Sequence, residues 1–89
     1  MYKFKINNNE HIEVNVRDDV FKPTGTSNEL IKAVSENITT QGSVLDLGCG
    51  TGLVGIALHK LGKVDDVLYG SDISENAVQL FEENAKKYN

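Results

Sequence analysis

Two acids and a run of glycines are the residues of this 89-residue chain whose types and spacing could do chemistry. Val44 to Gly52 reads VLDLGCGTG, with Asp46 two positions before Gly48, and Gly50 and Gly52 following at alternate positions around Cys49 and Thr51. An apolar run that enters a glycine turn and opens a helix brings backbone amides and a helix N-terminus to one point. A polar or anionic ligand can be held there, and glycine removes the Cβ atoms that would block its approach. Asp72 lies 24 residues after Gly48, at the end of a second apolar run, VLYGSD. An acid about 20 residues beyond such a loop can accept from both hydroxyls of a ribose. Asp46 is a mid-strand acid, costly if buried without a partner, and that cost favours a function for it.

Two phases of the glycines compete. Gly50, Gly52 and Gly55 satisfy Gly-x-Gly-x-x-Gly, the dinucleotide fingerprint, but that phase gives Gly48 and Asp46 no part. The other phase uses every position from Val44 to Gly52. Asp72 supports a ribose-bearing ligand without choosing between the two phases. Cys49, the sole cysteine, excludes an intramolecular disulfide; no base stands near it in sequence, so it reads as a packing residue. His11 and His59 lack metal-ligand spacing, and no metal site is expected.

The elements that must position these residues follow from periodicity. Tyr2, Phe4 and Ile6 alternate with lysines, and Ile12, Val14 and Val16 alternate with polar residues across the NNNE turn, which predicts a β-hairpin over residues 1–19. The segment RDDVFKPTGTS, holding the only proline, reads as a loop. Thr26 and Glu29 form a capping box for a helix from about Asn28 to Asn37, with Leu30, Ile31, Val34 and Ile38 as its apolar stripe. Val44–Leu47 is a strand, Leu53–Leu61 a helix ended by Gly62, and Val67–Ser71 a second strand. Asp72 and Ser74 offer caps for a last helix whose stripe is Ala77, Leu80, Phe81, Ala85 and Tyr88. The expected fold is α/β: a hairpin, then helix-strand-helix-strand-helix over residues 20–89, with a parallel strand pair and a right-handed crossover.

VLDLGCGTG resembles the first motif of class I S-adenosylmethionine-dependent methyltransferases across all nine positions. VFKPTGTSNELIKAV, upstream, resembles the segment before that motif in the small-domain type, which includes release-factor glutamine methyltransferases and nucleobase-amine methyltransferases. The resemblance implies a partial Rossmann-like methyltransferase fold and S-adenosyl-L-methionine as cofactor. It implies that Asp46 receives the ammonium while Gly48, Cys49, Gly50 and Gly52 lie against the methionine part and ribose. Asp72 would take the ribose hydroxyls and Ile73 would lie against adenine. Phe21, Pro23, Thr24 and Thr26 would belong to the pocket rim, although the Thr26 hydroxyl also reads as a helix cap. The family's later strands, with an NPPY-like motif, have no counterpart in these residues, whose sole proline is Pro23. No catalytic residue is therefore assigned. The expected function is the cofactor-binding portion of a methyltransferase acting on a protein side-chain amide or a nucleobase amine. The alternatives are a stand-alone truncated or designed half-fold without catalysis, and an NAD-type Rossmann half.

Composition narrows the classes further. A net charge of −4 with no basic block does not advertise nucleic-acid binding. No apolar run approaches the roughly 20 residues of a membrane span, and no signal-peptide pattern follows Met1, so the cytoplasm is the expected location. A two-stranded parallel pair leaves the Val44–Leu47 strand with an open edge, and that edge, or the apolar helix faces, is expected to support a homo-oligomer.

Overall fold

The computed structural model describes residues 1–6, 10–37, 39 and 42–88. Strands β1 (Tyr2–Lys5) and β2 (His11–Val14) pair antiparallel, with Tyr2 opposite Val14 and Phe4 opposite Ile12. Helix α1 (Gly25–Asn37) follows, then β3 (Val44–Leu47), α2 (Leu53–Lys60), β4 (Leu68–Ser71) and α3 (Glu75–Lys86). β3 and β4 pair parallel in register Val44–Leu68 to Leu47–Ser71, forming a two-stranded sheet separate from the hairpin. The α/β class, the hairpin and the parallel pair agree with the sequence reading, and the arrangement is a partial Rossmann-like methyltransferase fold. The hairpin's asparagine turn and Ile38 lie outside the described residues.

The period-two pattern of β2 works as expected: Ile12 and Val14 are fully buried. They share one core with Ile31 of α1 and with Leu53, Ile56, Ala57 and Leu58 of α2, so the hairpin and the α/β unit are held by the same apolar cluster. Burying each large aliphatic side chain of this cluster contributes roughly 1.5–3 kcal/mol relative to leaving it in water.

One helix start differs from the expectation. α1 begins at Gly25, a turn before Asn28, and Thr26 lies exposed inside its first turn, where its hydroxyl is not the cap. The Thr24 carbonyl accepts the Asn28 amide at 3.3 Å, and the Thr24 amide donates to Ser27 Oγ at 3.3 Å. Thr24 thus occupies the entry position directly after Pro23, and Ser27 supplies the reaching-back side chain. Ser74 caps α3 as read, accepting the Ala77 amide at 3.3 Å. Gly62, at φ +78°, follows the last turn of α2 in the left-handed conformation that ends helices.

Alternation along β3 and β4 sorts their side chains onto two faces. Asp46, Leu68 and Gly70 face α2 and α3. A Cβ on Gly70 would stand 2.6 Å from the Phe81 ring, so that glycine lets the helix lie directly on the strand. Leu45, Leu47 and Tyr69 are on the other face and exposed, Leu47 to 79% and Tyr69 to 56%. No helix among the described residues is long and apolar enough to cross a membrane.

Candidate functional site

The C-terminal ends of β3 and β4 open into a cavity of about 500 Å³. Asp46, Gly48, Cys49 and Gly50 form one wall, Asp72 and Ser74 another, and Val20, Phe21, Lys22 and Pro23 the rim. Among open α/β sheets this is the place where ligands bind.

Asp46 enters the wall from the side of the sheet that α2 covers. Its Oδ2 accepts the Gly55 amide of the first turn of α2 at 3.2 Å. The carboxylate reaches that amide because residue 55 has no side chain: a Cβ there would meet Asp46 Oδ2 at 3.0 Å and Leu68 at 2.9 Å. Gly55, read from sequence as a possible third fingerprint glycine, therefore serves the contact between Asp46 and the helix. Burial raises the Asp46 pKa to about 6, against the lowering pull of the Gly55 amide and with a smaller push from Asp72. Asp72 is the opposite case. Its Oδ1 accepts the Ser74 amide at 3.0 Å and its Oδ2 the Gly50 amide at 3.1 Å, and these two bonds hold its pKa below the ordinary carboxylate value.

The glycine loop takes up its own donors. The Gly48 and Cys49 amides both donate to the Ser71 carbonyl, at 2.6 and 2.9 Å, and the Gly52 amide donates to the Cys49 carbonyl at 2.8 Å. With Gly50 on Asp72, the amides of the three glycines and of Cys49 are all engaged within the protein. The sequence reading laid those amides against a ligand; the structure gives their partners within the protein. The loop lines the cavity, and the Gly48 and Cys49 amides tie it to the end of β4.

Glycine is required in this loop for two reasons. Gly48 has φ +69° with nothing within 4 Å of an added Cβ, so conformation and open space explain it. Gly52, at φ +90°, is pinned as well: a Cβ would stand 2.6 Å from Phe81 Cδ1. Thr51 is buried between them, its Oγ1 accepting the Leu53 amide at 3.3 Å and so closing the start of α2.

Of the residues singled out from sequence, Asp46, Gly48, Cys49, Gly50 and Asp72 line the cavity, with Gly52 buried next to them under Phe81. Ile73 is fully exposed beside Asp72 and outside the lining. Thr24 lines an adjoining shallow groove with Asp18, Asp19 and Phe21. Cys49 is buried, and burial pushes its thiol pKa up to about 11, with Asp46 and Asp72 adding to the rise. No group of three or more metal-ligating side chains occurs among the described residues.

Asn84 is the residue of this region that sequence reasoning passed over. It is fully buried on α3, in the apolar stripe of Ala77, Leu80 and Phe81. Its Oδ1 accepts the Asn15 amide at 2.7 Å, while its Nδ2 donates to the Asn15 carbonyl at 3.1 Å and to the Thr51 carbonyl at 2.7 Å. The signal was an asparagine at a stripe position, since a buried amide must find partners.

The structure thus places an acid before a glycine turn and a second acid at the next strand end on one cavity of a parallel αβ unit. Residues 12–89 match the family model described as methyltransferase small domain, and the chain belongs to that family, a class I S-adenosylmethionine-dependent group. It is 39% identical over 80 residues to the release factor glutamine methyltransferase of Streptococcus pneumoniae, covering 89% of this chain and 28% of that protein. It is 35% identical over 86 residues to the ribosomal protein L11 methyltransferase of Thermotoga petrophila, covering 93% of this chain and 32% of the relative. A ribosomal protein L11 methyltransferase of Cupriavidus taiwanensis is 43% identical over 54 residues, 61% of this chain and 18% of the relative. The chain thus spans about a third or less of the length of these curated relatives.

Proposed function

We propose that this chain is the S-adenosylmethionine-binding portion of a methyltransferase whose acceptor is a protein side-chain amide. The observation that carries the reading is the chemistry of the cavity wall. Its loop amides are engaged internally, while Asp46 and Asp72 line it. A pyrophosphate needs open donors and would meet two carboxylates instead, which counts against the dinucleotide reading. A ligand with a cationic amino-acid part and a ribose suits the same wall. Asp46 fits the ammonium and Asp72 the ribose hydroxyls, while the Cα surface of Gly48 leaves room at the loop. When bound, that cofactor supplies an electrophilic methyl group on a sulfonium.

The role of the chain's own residues in this reading is to bind and orient. Transfer is an in-line displacement whose rate depends on aligning the acceptor, and neither Asp46 nor Asp72 is assigned as a base. Relatives named for release factor glutamine and ribosomal protein L11 support a protein acceptor over a nucleobase amine. The share of those relatives that this chain spans supports placing acceptor-binding residues on additional polypeptide. Calorimetric titration with S-adenosylhomocysteine and with NAD tests the ligand: binding of the first and not the second is expected, and the reverse order overturns the assignment. Methyl transfer by the 89-residue chain alone would show that the acceptor apparatus is already here. The other reading, a binding module without chemistry, predicts the same titration but no transfer in any longer form.

A further inference from the structure

The Asn84 amide is bonded on one side to the backbone of Asn15 and on the other to the glycine loop. Its two bonds to Asn15 reproduce the pattern a neighbouring strand would make, so the side chain stands in for a peptide group at the outer edge of the β2 segment. Its third bond takes the carbonyl of Thr51, between Gly50 and Gly52. Only one orientation of the amide serves all three partners, because two are acceptors and one is a donor.

The segment it grips leads to the rim of the cavity. From Asn15 the chain runs to Val20, which is buried against Ala77 and Leu80 of α3, and to Phe21. The Phe21 carbonyl lies 3.5 Å from where a Cβ on Gly50 would be, so rim and loop face each other across a narrow gap. Asp19 fastens the same segment to α3, accepting from Asn76 Nδ2 at 2.8 Å. Among these contacts, Asn84 is the side chain bonded both to the glycine loop and to the segment that leads to the rim.

We infer that Asn84 is a positioning residue for the cofactor cavity: it fixes the spacing between the glycine loop and the rim-bearing segment, and thereby the affinity for the ligand. The inference rests on the cofactor assignment made above. Asn84 touches no ligand itself; its effect passes through the Thr51 carbonyl and the Asn15 backbone.

The test pairs Asn84→Ala and the milder Asn84→Ser with Ile12→Val, a variant in the main core distant in role from the loop. S-adenosylhomocysteine binding is measured by calorimetry on each, corrected for the fraction folded. Hydrogen exchange of the Gly48–Leu58 and Asn15–Lys22 segments is measured without ligand. The Asn84 variants are expected to lose roughly tenfold in affinity and to exchange faster in both segments together, while Ile12→Val keeps its affinity within about twofold. Equal affinity loss in all variants at matched stability, or faster exchange in one segment alone, overturns the inference. If the wild-type chain binds no S-adenosylhomocysteine, the cofactor assignment fails. The exchange measurement then still decides whether Asn84 couples the glycine loop to the rim-bearing segment. Asn84→Ser is the variant that decides if Asn84→Ala does not fold.

Discussion

Asp46 and Asp72 are carboxylates lining one cavity, and their surroundings drive their ionisation apart. Asp46 is raised to about 6 by burial; Asp72 is lowered by two amide bonds. A ligand ammonium favours the ionised form of Asp46, so binding below pH 6 must first remove a proton. Affinity for S-adenosylhomocysteine is expected to rise from pH 5 to about 7 and then level off, with proton release on binding near pH 6 that disappears in Asp46→Asn. Calorimetry in buffers of different ionisation enthalpy measures it, and a flat profile in the wild type would remove Asp46 from the ammonium site. The same shift acts on folding with the opposite sign. A carboxyl whose folded pKa lies above its unfolded value contributes stability at low pH, and the contribution is lost as pH rises toward 6. Cys49, with its thiol at about 11 and buried, stays protonated at pH 8. Iodoacetamide should modify it far more slowly in the folded chain than in urea, as followed by mass spectrometry.

The glycine loop behaves as part of the elements it joins. Gly48→Ala is strained only by its conformation and should cost about 1–2 kcal/mol in urea unfolding. Gly52→Ala adds the collision with Phe81 at 2.6 Å and should cost more, with an unmeasurable difference between the two counting against the packing described. Much of this was legible from the residues. Periodicity located β2, β3 and the stripe of α3, and the acid before the first glycine chose between two phases. Other features were hidden because they depend on tertiary approach. The sequence shows that residues 52, 55 and 70 are glycine, but only the packed structure shows that Phe81 and Asp46 occupy the space a side chain would need. Donors in the loop looked available until the Ser71 carbonyl was seen to accept two of them. The start of α1 was misplaced because Thr26 and Glu29 imitate a capping box while Thr24 and Ser27 make the bonds.

Among the described residues, one side of the parallel pair is covered by α2 and α3 and the other is not. Leu45, Leu47 and Tyr69 form an exposed apolar surface there, whereas parallel sheets are ordinarily covered on both faces. The expectation of self-association through the β3 edge is thereby extended to this face. Sedimentation of the isolated chain should show concentration-dependent association, and Leu47→Lys with Tyr69→Lys should reduce it without loss of helix signal. A wild type that remains monomeric at high concentration would argue that the face is not sticky enough to pair.

The side chains that close the outer edge of β2 bear on how this chain would fail under stress. Asn84 holds both backbone groups of Asn15, and Tyr88 Oη accepts the Glu13 amide at 2.7 Å and donates to its carbonyl at 3.2 Å. While α3 stays docked, the hairpin therefore offers no template on that edge for an incoming strand. An incoming strand would have to pair with the outer edge of β1 or with the β3–β4 sheet, and any change that undocks α3 is expected to add the β2 edge to the templates available.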